Sequence, residues 1–219
     1  MKYKNKSIQI SCDGGAATGK STGAKMISKK YNLKFLSSGL LYRYAAYLIL
    51  RHKPENKVKF LRKKFYNLNI YVLKKLNLHT PMISKYSSII AKQKNIRDIL
   101  KKFQINFSKK NQNCCIEGRD ISTKILPKSD LKFFFVCSAN IAAFRRYKEL
   151  KKINKKTLLK DVKKALIMRN NLDRERKHSP LLKHRNSIVI DTGKLSKPAV
   201  LAKMSKHIDK VIKQKKNEK

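Results

Sequence analysis

Acidic residues are scarce in this sequence, only 13 of 219, and tryptophan is absent. No apolar run approaches the roughly 20 residues that cross a bilayer; AAYLIL and LKFFFVC, the longest candidates, read as a buried helix and strand. MKYKNKSIQISCDGG holds no apolar block of secretory-signal length, so a cytoplasmic chain is expected, with no membrane partner. The four cysteines, including the adjacent Cys114 and Cys115, lack C-x-x-C spacing. That excludes the common metal and redox motifs and leaves free thiols. No internal repeat is present.

Against the 13 acidic residues stand 55 lysines and arginines, a formal charge of +42. Such a field attracts polyanions, yet the lysines are spread evenly and form no stripe interleaved with aromatics, as a base-stacking surface requires. Non-specific polyanion binding is expected, and a specific nucleic-acid partner is not. Apolar residues at 41% suffice for a core. The length suits one α/β domain, or a domain plus a small insert; a monomer is expected.

Ile8, Ile10 and Cys12 alternate in a short first strand that runs into DGGAATGKST, followed by the helix-forming GAKMISKKYN. LKFL leads through Ser-Ser-Gly into the helical GLLYRYAAYLIL. Residues 54–84 alternate loosely and read either as a hairpin-like insert or as further basic helices. One helix is expected over Tyr86 to Phe107, then strands at NCCIEG, LKFFFVC and SIVID, a helix from Ile141 to Leu150, and a closing helix before a frayed KQKKNEK. Strands alternating with helices predict a layered αβα domain on a five-stranded parallel sheet.

The sharpest motif is G-x-x-x-x-G-K-S from Gly14 to Ser21. Backbone N–H groups in such a loop wrap phosphate oxygens, and the next helix points its positive end at the same anion. Lys20 would reach the β and γ phosphates, and the Ser21 hydroxyl would bind Mg²⁺. Arginines are a minority of the basic residues but recur at Arg43, Arg97, Arg119, Arg145, Arg146, Arg169, Arg174 and Arg176. A planar guanidinium grips phosphate in two-pronged fashion, which lysine cannot do. A kinase with two phosphorylated substrates needs such groups; a P-loop protein that only binds RNA or the ribosome does not.

Five blocks in order resemble the bacterial cytidylate kinases, a family of P-loop nucleoside monophosphate kinases. DGGAATGKST is similar to D-G-P-S-G-A-G-K-[GS]-T, with Gly15, Ala16, Ala17 and Thr18 replacing Pro, Ser, Gly and Ala. LSSGLLYR resembles L-D-[ST]-G-x-x-Y-R, with Ser37 for Asp. SIIAKQKNIRDIL follows S-x-x-A-x-x-x-x-[VI]-R-x-x-L. EGRDIST resembles D-G-R-D-x-G-T, with Glu117 for Asp and Ser122 for Gly. RNNLDRERKHSPL resembles R-D-x-x-D-R-x-R followed by x-x-P-L, with Asn170 for Asp and Leu172 where Arg is frequent. DTGKLS closes the pattern.

The resemblance implies a three-layer P-loop kinase domain over 1–219, with a shortened, β-rich monophosphate-binding insert at 57–84 and a lid at 150–180. His79 stands where the insert's arginine is usual. The implied reaction moves the γ-phosphoryl group of ATP, with Mg²⁺, to CMP or dCMP; a UMP kinase or a non-enzymatic P-loop binder is the alternative. Gly14, Gly15, Ala16, Ala17, Thr18, Gly19, Lys20, Ser21 and Thr22 would hold ATP, with Ser21 on the metal. Ser38, Arg43, Ser88, Arg97, Arg119, Asp120, Arg169 and Asp173 would hold the acceptor. Lys20, Arg119, Arg174 and Arg176 would stabilise the transferring group. For Asp173 a plain salt bridge with a neighbouring arginine is the competing role, and the two can coexist.

Overall fold

The computed structural model describes residues 7–217, apart from the side chain of Lys74. The chain forms two compact units, one made of the residues through Leu36 together with those from Asn111 onward, the other of Ser37–Lys110.

The first unit is built on a five-stranded sheet. Its strands are β1 (Gln9–Gly14), β2 (Lys34–Ser37), β3 (Cys114–Gly118), β4 (Leu131–Val136) and β5 (Ile188–Asp191), in the order β2-β3-β1-β4-β5. β1 runs parallel to β3 and to β4, and β4 runs parallel to β5. Ile10 and Cys12 of β1 and Phe133 and Phe135 of β4 are fully buried, as expected for strands covered on both faces. The connection leaving β1 runs to one side of the sheet, toward β2, and that leaving the adjacent β4 runs to the other, toward β5, so the carboxyl ends of β1 and β4 mark a topological switch point, the usual ligand position in such sheets.

Helix α1 (Lys20–Lys30) follows β1 directly and packs with the long C-terminal helix, Lys197–Asn217. Ile10, Ile27, Phe133, Phe135, Met204 and Ile208 form the core between these helices and the sheet. Phe135 explains two glycines. A Cβ on Gly14 would lie 2.5 Å from the Phe135 carbonyl oxygen, and one on Gly23 would lie 2.7 Å from its ring. The phosphate-loop candidate and its helix thus rest directly on β4.

Over its described part the C-terminal segment departs from the expected fraying, since the helix continues to Asn217; Glu218 and Lys219 lie outside the described residues. Lys215 Nζ sits 2.6 Å from Asp130 and donates to the Ser7 carbonyl at 2.7 Å, which ties the last turn to the start of the sheet.

The second unit holds α2 (Ser38–His52), α3 (Lys57–Tyr66), α4 (Val72–Lys75), α5 (Pro81–Ile90) and α6 (Lys94–Lys110). Of the two readings for residues 54–84, the helical one holds, and the expected β-rich insert is corrected. Val58, Leu61 and Phe65 recur at helical spacing, and Phe65 packs on Tyr44 and Phe103 at ring distances of 5.8 and 5.9 Å. The single helix expected over Tyr86 to Phe107 is two. It breaks at residues 91–93, where Arg97 donates from NH1 to the Ala91 carbonyl at 3.1 Å and satisfies a group at the end of α5.

The remaining helices of the first unit are α7 (Ala139–Lys151) and α8 (Leu159–Glu175), which pack on each other, and α9, the C-terminal helix already described.

Candidate active site

The loop from Gly14 to Gly19 turns by way of left-handed residues, Ala17 at φ 57° and Gly19 at φ 81°. Alternation of this kind turns successive N–H groups toward one side, making a concave anion seat. Helix α1 begins at once, with Gly19 as its N-cap and no side-chain cap, whereas Ser37, Asn56, Thr80 and Ser138 cap α2, α3, α5 and α7. Its first amides are therefore left for another acceptor.

A left-handed L-residue costs about 1 kcal/mol relative to glycine in the same turn. Ala17→Gly is expected to raise the midpoint of thermal unfolding by a few degrees without slowing turnover; an unchanged or lowered midpoint would show that loop strain at Ala17 has been offset elsewhere.

Lys20 is buried beneath this loop. Its Nζ donates to the Gly15 carbonyl at 3.1 Å and lies 3.9 Å from a carboxylate oxygen of Glu117 at the end of β3. Burial, reinforced by Arg119 and Arg169 and opposed by Glu117 and Asp173, lowers its pKa to about 7. An incoming phosphate would return the counter-charge that burial withholds. Thr18 Oγ1 also donates to the Gly15 carbonyl, at 3.0 Å.

Three further contacts brace the loop. Thr192 Oγ1, just past β5, donates to the Thr18 carbonyl at 2.8 Å and accepts from Arg145 NH1 at 2.8 Å, while Arg145 NH2 holds the Thr192 carbonyl. The Ala16 N–H donates to Asn170 Oδ1 of α8 at 2.9 Å. Beneath, Asp13 accepts from the Ile121 N–H, the Ser122 N–H and the Ser122 hydroxyl at 2.6–2.8 Å, fixing the turn that follows β3. Burial pushes Asp13 up to about 6 against the pull of those bonds.

That turn carries Arg119 and Asp120. Arg119 Nε donates to Asp173 Oδ2 at 2.8 Å, and Arg176 approaches Asp173 at 3.4 Å and Asp120 at 3.8 Å. Burial would raise Asp173, but Arg119, Arg176 and Arg169 outweigh it and hold the carboxyl below its usual range. The salt-bridge role for Asp173 is therefore real. Arg174 lies exposed on the same helix, outside this network, and Arg146 makes an exposed pair with Glu149 at 2.8 Å.

In the second unit, Arg97 is buried with its guanidinium 5.5 Å from the Tyr42 ring centre. Ser38 is buried in the first turn of α2, Arg43 is half-buried one turn later, and the Ser88 hydroxyl donates to the Ser84 carbonyl at 3.2 Å. His79 is exposed, beside the Thr80 cap of α5.

Sequence reasoning named the loop, Arg119, Asp120, Asp173 and Arg176 but gave no role to Asp13, Arg145, Asn170 or Thr192. Their partners lie 47 to 174 positions away, beyond any local motif. Among the described residues no helix is long and apolar enough to cross a membrane, and no cluster of three or more His, Cys, Asp or Glu could hold a metal by itself.

A central strand opening into this loop, a buried lysine under it and an arginine–carboxylate network at the next strand's exit define a P-loop phosphotransferase site. The profile described as Cytidylate kinase matches residues 10–210, and the chain belongs to that family. It is 33% identical over 210 residues to the cytidylate kinase of Rickettsia akari (strain Hartford), covering 94% of both chains. It is 34% identical over 212 residues to that of Rickettsia africae (strain ESF-5), covering 95% of this chain and 94% of the relative. In fold it is similar to an uncharacterized protein from Eubacterium ventriosum ATCC 27560 (TM-score 0.54, 18% identity, 94% and 99% covered). It is also similar to the shikimate kinase of Bacteroides thetaiotaomicron (TM-score 0.52, 9% identity, 93% and 99% covered).

Proposed function

We propose that this chain transfers the γ-phosphoryl group of ATP to CMP or dCMP, giving ADP and CDP or dCDP. The observation that carries the reading is the seat at residues 14–19, with buried Lys20 beneath it and Arg119 held by Asp173 at the exit of the neighbouring strand. Membership in the cytidylate kinase family supports the choice of acceptor.

Phosphoryl transfer asks a protein mainly to align two oxygens and to stabilise charge on the equatorial ones. The loop of residues 14–22 holds the donor phosphates through the amides that follow Ala16, whose own N–H is taken by Asn170, and Lys20 supplies positive charge where it develops. The Ser21 hydroxyl and Glu117 carboxylate are the groups that would hold Mg²⁺, a hard cation that takes oxygen ligands and retains water. Mg²⁺ bound with ATP neutralises phosphate charge. Arg119, Arg174 and Arg176 stabilise the group in flight, the last two from a lid at 150–180 that excludes water. No base is needed, because the acceptor phosphate is already an anionic nucleophile.

Arg43 and Arg97 grip the acceptor phosphate, and Ser38, Ser88, Asp120, Arg169 and Asp173 orient the nucleotide, with residues 57–84 as the monophosphate-binding insert. In this reading the enzyme works as a monomer in the cytoplasm on free nucleotides, with no specific nucleic-acid partner.

ADP release in a coupled assay with MgATP should depend on added CMP or dCMP. Arg97→Lys should raise the KM for CMP about tenfold, since one amine cannot replace a two-pronged guanidinium, while the KM for ATP stays put. An unchanged KM for CMP would leave Arg97 a structural role, bonded to the end of α5 and set against the Tyr42 ring.

A further inference from the structure

Helix α8 reaches both phosphate-handling loops from one face. Asn170 and Asp173 stand three residues apart, so their side chains are neighbours on the helix surface. Asp173 holds Arg119 beyond β3, and Asn170 holds the Ala16 N–H beyond β1. The approach of Asn170 is close enough to constrain the loop's sequence. A Cβ on Gly15 would stand 3.3 Å from Asn170 Oδ1 and 3.4 Å from its Nδ2. Gly15 does not occupy the left-handed region, where the glycines marked by positive φ are Gly14 and Gly19. A side chain at 15 would therefore crowd Asn170 rather than strain the backbone.

We infer that Asn170 is a positioning residue of the donor site, and that Gly15 and Asn170 work as a coupled pair that sets the loop before nucleotide arrives. The carboxamide oxygen accepts the Ala16 N–H and thereby fixes how the amides that follow are turned. The same helix fixes Arg119, so the position of the donor polyphosphate seat is tied to the arginine that meets the transferring group. A carboxamide does this without placing a negative charge beside an anion, whereas a carboxylate would accept the same bond and add repulsion. The inference rests on the reading of residues 14–22 as the ATP seat.

The test uses the full chain with Asn170→Ala, Asn170→Asp, Gly15→Ala and the Gly15→Ala/Asn170→Ala double variant. Alanine is the better helix former, so α8 persists in Asn170→Ala. Losing one well-made hydrogen bond corresponds to about a tenfold change in binding. Asn170→Ala is expected to raise the Kd for ADP, measured by calorimetry, and the KM for MgATP by about that factor. The KM for CMP and the thermal midpoint should remain near wild type. Asn170→Asp should recover most of the loss at high salt and less at low salt, where repulsion is unscreened. Gly15→Ala should mimic Asn170→Ala, and the double variant should be no worse than either single one.

ADP binding that Asn170→Ala leaves unchanged, or single effects that add in the double variant, overturns the inference while sparing the proposed function. A wild-type chain that binds no ADP overturns both.

Discussion

Lys20→Met is expected to slow phosphoryl transfer by about 10²–10³-fold while leaving a folded protein, because the lost group stabilises charge in the transition state rather than packing the core. Methionine fills similar volume and carries no charge into a buried position. The wild-type lysine occupies that position at a penalty, its pKa lowered from 10.5 to about 7, chiefly by burial. The sign of the linked stability follows: between pH 7 and 10.5 the unfolded chain binds the proton that the folded chain releases, so this lysine makes wild-type stability rise with pH across that window. Below pH 7 the penalty is present in full. Lys20→Met should therefore unfold at a temperature equal to or above wild type at pH 7, and its advantage should shrink toward pH 10. Turnover beside thermal melts at both pH values checks it. Near-normal turnover in the folded variant would remove Lys20 from the chemistry.

Asp173→Asn should cost both activity and stability, which separates it from Lys20→Met. The carboxylate is the common partner of Arg119 and Arg176, with Arg169 adding to its field. Removing one member of a largely buried ion pair strands the rest, and a loss of about 2–3 kcal/mol is expected, together with about a 10²-fold fall in kcat/KM for CMP as Arg119 loses its fixed orientation. Since Asp173 is held below its ordinary value, its contribution is complete above the unfolded carboxyl pKa and disappears as pH falls through the folded one. The stability gap between wild type and Asp173→Asn should thus be constant above about pH 5 and close in stronger acid. Denaturant melts from pH 3 to 7 measure it. A gap that stays constant into acid would mean that the carboxylate's charge is not what orders these arginines.

Local chemistry made the centre of the site legible. Strand, glycine loop and helix occupy one continuous stretch from Gln9 to Lys30, and each step has its own sequence signal. β4 was legible for the same reason, as a run of apolar residues buried on both faces. The helical character within residues 54–84 stays open in the sequence because Tyr66, Leu68 and Ile70, separated by Asn67 and Asn69, mimic strand alternation; the spacing of Val58, Leu61 and Phe65 decides it once Tyr44 and Phe103 supply a surface. The break at residues 91–93 was missed because Arg97 satisfies the end of α5 from within the next helix. Asn170 could be seen only as a departure from a pattern. What it touches, 154 residues earlier in the chain, is set by the packing of α8 and carries no mark in its neighbours.

The most direct measurement is kcat/KM for CMP, dCMP, UMP and AMP at one fixed concentration of MgATP and one ionic strength, which keeps the attraction of a +42 chain for any anion from passing as recognition. CMP and dCMP are expected to lead. UMP should follow by about one or two decades, the value of a polar contact or two that the wrong base leaves unmade. AMP should trail. ADP release that ignores the acceptor, or a clear preference for AMP, would contradict the assignment of this chain as a kinase of cytidine monophosphates.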